Sequence, residues 1–153
     1  MRNNIIIAIT LLLASCTASQ KASKNIQGDW VLKSVVSEGV SNMPKTVFFN
    51  EVNFGCFIGS EWKFGKNGKH SMFTIVDQQK ECAVPPRRFT WTYKNSGSPA
   101  IYFTRAEPDG RVLDIVPNIQ YLLVESTATS MKLRQEISIN GQSGALIYNF
   151  VKL

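Results

Sequence analysis

Arg88-Phe89-Thr90-Trp91-Thr92-Tyr93-Lys94 sets an aromatic residue at every second position and a polar one between them. Successive side chains of an extended strand point to opposite faces, so this stretch has one aromatic face and one hydrated face. The same period of two returns on both sides of it. Trp62 and Phe64 alternate with Glu61 and Lys63, and Met131, Leu133, Ile137 and Ile139 alternate with Lys132, Arg134, Glu136 and Ser138. Half-buried antiparallel strands carry this pattern. Asn67-Gly68, Asp109-Gly110 and Asn140-Gly141 stand between the runs and supply the positive φ angles of type I′ hairpin turns. Asn95-Ser96-Gly97-Ser98 is a further turn, and Pro85-Pro86 closes the connection before the aromatic strand.

Strands are expected near 28–37, 60–66, 69–76, 87–94, 99–105, 111–116, 119–125, 130–139 and 144–152. Eight to nine short strands joined mostly by tight turns make an all-β fold. A single up-and-down antiparallel barrel hides the edges of such a meander best. Glu38 to Phe57 is too long for a hairpin and is expected to hold a short helix or a lid over one barrel mouth.

The chain opens differently. Ile5 to Cys16 (IIIAITLLLASC) is an apolar run behind Arg2, too short for the roughly 20 apolar residues that cross a bilayer. It reads as the apolar region of a signal peptide. Leu13-Ala14-Ser15-Cys16 resembles the bacterial lipobox. That resemblance implies diacylglycerol on the Cys16 thiol, cleavage before it and acylation of the new amine, as with palmitate. Residues 1–15 are then a lipoprotein signal peptide, residues 16–25 the lipidated cysteine with a flexible tether, and residues 26–153 the barrel domain. Cleavage leaves 138 of the 153 residues, the size of one domain. The tether, Thr17 to Asn25, is small and polar, and nine extended residues reach at most about 30 Å. No acidic cluster follows Cys16. In bacterial families that export lipoproteins to the cell surface such a cluster often marks the surface-exposed members, so the resemblance implies the outer membrane facing the periplasm, with the cell surface the alternative.

The formal charge of +6 falls to about +5 once Arg2 is removed, and it is scattered, with Arg87-Arg88 the sole adjacent pair. No basic stripe points to nucleic acid. The surplus reads as a mildly basic solvated surface, with a weak attraction to anionic lipid surfaces the alternative, and the expected membrane anchor is the lipid. Cys56 and Cys82 remain as an even pair in an oxidising compartment, which favours a disulfide over two free thiols. Zinc needs more ligands, and His70 is the only histidine, so no metal or cofactor is expected. No Gly-x-Ser-x-Gly elbow, His-Glu-x-x-His or phosphate loop occurs, and the acids are spread singly. Cys56 and Cys82 also lack the C-x-x-C spacing of redox couples. No catalytic residue is assigned, and the protein is not read as an enzyme.

Ile26-Gln27-Gly28-Asp29-Trp30-Val31-Leu32 opens the domain and resembles the G-x-W start of the lipocalins. In that family the glycine allows a tight approach and the tryptophan plugs the closed end of the barrel, roles that fall here on Gly28 and Trp30. Leu32 and Val36 are expected to continue the face of Trp30. Further likeness is to bacterial lipocalin-like lipoproteins. It rests on Cys56 ahead of Glu61-Trp62-Lys63-Phe64, then Asn67-Gly68, Cys82, and a closing strand Tyr148 to Leu153. In those proteins the two cysteines look bridged. The second lipocalin motif, T-D-[YF], is absent, with Asp114-Ile115-Val116 a trace of it. For the arginine that crosses the tryptophan, Arg134 and Lys152 are the nearest candidates.

Trp62, Phe64, Phe89, Trp91, Tyr93 and Phe103 fall on apolar strand faces, which point inward in an eight-stranded barrel. There they either fill the lumen or line a cavity for one small apolar ligand. A ligand-binding carrier at the envelope is the first expectation. A protein-binding lipoprotein with a filled barrel, either an accessory subunit or an inhibitor, is the alternative.

Overall fold

The computed structural model describes residues 18–44, 46–47, 52–76, 81–109, 111–112 and 119–153. Cys16 and the signal segment, Gly110, Asp114 and most of the strand expected over 111–116 lie outside them. The alternating runs form β1 (Gly28–Glu38), β4 (Glu61–Phe64), β5 (Ser71–Thr74), β6 (Arg87–Ser96), β7 (Ser98–Ala106), β8 (Ile119–Ser126), β9 (Ser130–Ile139) and β10 (Gln142–Lys152). Two short strands, β2 (Thr46–Val47) and β3 (Val52–Asn53), pair with each other in the long connection. The eight longer strands close in the order β1-β10-β9-β8-β7-β6-β5-β4, every neighbour antiparallel, with β1 bonded to both β10 and β4. Val112 bridges to Ala106, which is the described part of the strand expected at 111–116.

Period two decides the wall. Phe89 and Trp91 are buried while Arg88 and Thr92 are exposed, and Trp62 and Phe64 are buried while Glu61 and Lys63 are exposed. An apolar interior and a charged outer wall are the reverse of a membrane-spanning β-barrel, which turns its apolar face to lipid. Among the described residues no helix is long and apolar enough to cross a membrane.

Turn chemistry holds at Asn140 (φ 52°) and Gly141 (φ 80°), whose two residues join Ile139 to Gln142 in register. Asn67-Gly68 departs from the expected two-residue hairpin. Both residues do take positive φ, 55° and 76°, but they lie within a longer connection containing a turn of 3-10 helix, Lys66–Gly68. The reason is packing. Gly68 is pressed so close to β6 that a Cβ there would sit 1.9 Å from the carbonyl oxygen of Trp91.

In β1 the pairing runs Leu32 with Phe150 and then Ser34 with Asn149, so Lys33 is an extra residue. Such a bulge exchanges the two faces beyond it. Val36 is therefore outside the barrel at 51% exposure, and Val35 takes the inner position in its place.

The segment expected as a flexible tether is helical over residues 18–26 (α1). Alanine, lysine and glutamine in it are good helix formers, and its last residues gain tertiary contacts. Ile26 is fully buried, and the Asn25 side-chain amide donates to the Ser126 carbonyl at 3.3 Å.

Candidate functional site

The inner faces meet in one aromatic cluster. Trp62 stands at its middle, with ring centroids at 4.8 Å from Phe73, 5.5 Å from Phe89, 5.6 Å from Phe150 and 6.3 Å from Phe103. Phe64 reaches Trp91 at 6.0 Å and Phe103 at 5.8 Å, and Phe103 meets Tyr121 at 4.9 Å. Most of these pairs are tilted or edge-on, the arrangement that the ring quadrupole favours. Of the residues expected to line a ligand cavity, Trp62, Phe64, Phe89, Trp91 and Phe103 are brought together, none more than 4% exposed. A wall of a ligand-sized cavity presents surface to the cavity. These residues present almost none, so they fill this part of the lumen. Tyr93 stands apart from them, partly buried at the edge of the cluster.

The polar ends of the tryptophans are all used within the chain. Trp30 Nε1 donates to the Ile26 carbonyl at 2.8 Å, Trp62 Nε1 to Ser60 Oγ at 2.7 Å and Trp91 Nε1 to the Gly65 carbonyl at 3.1 Å. Ser60 Oγ in turn donates to the Phe57 carbonyl. A buried indole N–H without an acceptor is costly, and here each is satisfied by backbone or serine oxygen. Deeper in the barrel Tyr148 donates to Gln135 Oε1 at 2.6 Å, and its ring lies 5.4 Å from that of Tyr121. Burial pushes both phenols above their ordinary value, with Tyr148 raising Tyr121 further. They are neutral at any physiological pH.

Buried rings are inserted from both ends. At one, Trp30 is fully buried and Lys152 Nζ sits 5.0 Å from its ring centroid, donating also to the Asn25 carbonyl at 3.3 Å. Lys152 thus takes the crossing position for which Arg134 was the other candidate. Arg134 lies on the outer wall, paired with Glu38 and Glu136. Gly28 adopts φ +120°, and a Cβ there would meet Lys152 Cε at 2.8 Å, so a glycine lets the lysine lie across the tryptophan.

At the other end the long connection holds a short helix, α2 (Phe54–Phe57), capped by Asn53 Oδ1 accepting from the Gly55 N–H at 3.0 Å. It inserts Phe57 against Phe73 and Trp62. Cys56, next to this stopper, is bridged to Cys82 with Cα atoms 5.4 Å apart. Phe57, Phe73, Phe150 and Ser60 were not singled out from the sequence. Phe73 and Phe150 share the period-two signal, while Phe57 and Ser60 lie in a connection that has none.

Hollows lie on the outer wall. One of about 430 Å³ is edged by Lys69, His70, Arg88, Thr90 and Asp109, and another of about 470 Å³ by Asp29, Glu61, Lys63 and Thr74. Both mix these groups with apolar ones, Phe89, Ala106 and Val112 in the first and Trp62, Met72 and Leu153 in the second. His70 is exposed there at φ 53°, on the turn before β5. Among the described residues no group of three or more His, Cys, Asp or Glu side chains converges as a metal site would need. Comparison with protein-family models, curated proteins and solved structures finds no match for this chain.

Proposed function

We propose that the protein is a lipid-anchored, lipocalin-like envelope lipoprotein whose filled barrel is a scaffold for binding a protein partner on its outer surface, without enzymatic activity. Cys16 holds it at the outer membrane on the periplasmic side. The observation that carries the reading is the packed aromatic interior. Five of the six candidate ligand-lining aromatics are spent on one another, and every indole N–H is bonded within the chain, so none is left to orient a guest. The charged outer wall and the disulfide-fastened loops at the α2 end remain as the surfaces for recognition. The Gly28–Trp30–Lys152 arrangement supports the lipocalin likeness.

Carriage of a small apolar ligand is the second reading. Val35, Tyr93, Leu123 and Ile137 favour it, because they edge the cluster and are only partly buried.

Native mass spectrometry of the mature chain, with titration of tryptophan emission by fatty acids and polyenes, separates the two. The scaffold reading expects no co-purified small molecule and no binding tighter than about 100 μM, roughly −5.5 kcal/mol. A stoichiometric ligand that shifts the emission restores the carrier. The anchor is tested separately. Palmitate label should enter the parent and fail to enter Cys16→Ala, and label persisting in the variant removes the lipoprotein assignment.

A further inference from the structure

The two ends of the barrel differ in charge. At the end where α1 joins, β1, β5, β7 and β9 begin and β4, β6, β8 and β10 finish. Lys66 and Lys69 sit in the connection from β4 to β5, Lys94 lies near the end of β6, and Lys21 and Lys24 are on α1. All five are exposed, and among the described residues none of them forms an ion pair. The side-chain carboxylates described at this end are Asp29 and Glu125. Each has a lysine as its register partner, Asp29 with Lys63 and Glu125 with Lys132, and Asp109, which shares a surface hollow with Lys69, is paired with Arg111, so the five lysines stand in excess. At the opposite end the signs are mixed. Arg134 is held by Glu38 and Glu136, Arg111 by Asp109, and Glu81 and Glu107 lie nearby.

Distance makes this sorting consequential. A nine-residue helix such as α1 is about 14 Å long, and the two residues from Cys16 to its start add at most about 7 Å. A lipid on Cys16 would hold the lysine-bearing end within about 20 Å of the bilayer, where a Debye length of about 8 Å sets the range of attraction. We propose that the lysine-rich closed end is the face that lies against anionic phospholipid headgroups, leaving the α2 end and its loops turned away from the membrane. This rests on the lipid-anchored reading, and it fixes the orientation that reading leaves open.

The test uses the mature chain from residue 16 with Cys16→Ser, which keeps all of α1 and the barrel but carries no lipid. It is sedimented with vesicles containing phosphatidylglycerol and with vesicles of phosphatidylcholine alone. Binding to the anionic vesicles only, lost in 1 M salt where the Debye length is about 3 Å, is expected. Each lysine near an anionic surface contributes about fivefold in binding, so Lys66→Gln/Lys69→Gln/Lys94→Gln should weaken it on the order of 100-fold. Arg111→Gln, at the opposite end, should leave it within twofold. All these side chains are exposed, and unchanged melting confirms that each variant folds.

Equal loss in the arginine variant would show a general charge effect and overturn the proposal. So would equal binding to neutral vesicles, or none to anionic ones, the latter leaving an acidic protein as the partner of these lysines. Failure of the anchor is distinguishable, because palmitate labelling of the full chain does not depend on vesicle binding.

Discussion

Replacing Trp62 by alanine tests whether the interior is a packed core or a site awaiting a guest. Trp62 is 1% exposed and lies between rings carried by β5, β6, β7, β10 and the α2 stopper. Large-to-small changes of this kind cost about 3–5 kcal/mol, rising with the cavity left behind. Collapse would require several strands of a closed ladder to move together, which places the cost near the upper end, about 4–5 kcal/mol. For a domain of this size each kcal/mol moves Tm by about 4 °C, so a fall of roughly 16–20 °C is expected by circular dichroism. The vacated space is apolar, and dry engineered cavities of this kind take up small aromatic molecules. Indole should therefore raise the Tm of Trp62→Ala in a concentration-dependent way and leave the parent unmoved. A variant melting within about 5 °C of the parent, or a parent that indole stabilises as strongly, would refute the filled lumen and return the protein to the carriers.

Breaking the Cys56–Cys82 bridge with paired serines should cost about 3.5 kcal/mol, from the chain entropy of the loop it closes. Urea unfolding checks this, and a loss under 1 kcal/mol would mean that α2 is held without the bridge. Lys152→Met keeps the aliphatic stem over Trp30 but removes the charge and its bond to the Asn25 carbonyl. It should destabilise by about 1–2 kcal/mol, and an unchanged midpoint would deny Lys152 its role at the closed end. Alkaline pH should unfold the barrel through Tyr121 and Tyr148. Burial raises both folded pKa values above the ordinary 10, so their contribution is complete below pH 10 and declines as pH rises above it. Each tyrosine gives a slope of about 1.4 kcal/mol per pH unit. Tyr148→Phe should roughly halve that slope in denaturation series between pH 10 and 11, and an unchanged slope would locate the alkaline transition elsewhere.

The period-two runs around Trp62, Trp91 and Leu133 were sufficient to place the barrel strands, because one-sided burial leaves an alternation that no helix would show. Asn140-Gly141 located its hairpin for an equally local reason, since both residues accept positive φ at little cost. The cysteine count and the Gly28–Trp30 pair likewise carried the bridge and the plugged end. Position in the lumen was another matter. Alternation says that Trp62 and Phe89 face inward, but whether they fill the space or border a cavity depends on what arrives from distant segments. Phe57 comes from a connection without periodicity, and Phe150 closes in from the far end of the chain. The same limit explains Val36. A single extra residue, Lys33, is admitted where β1 passes from one partner to its next pairing, and it turns the remaining strand over. Lys152 over Trp30 joins residues 122 positions apart, a contact that only closure of β1 against β10 creates. Local stereochemistry thus determined the strands and turns from the sequence, whereas the occupancy of the barrel and the charge of its two ends were decided by which distant side chains the closed ladder brings together.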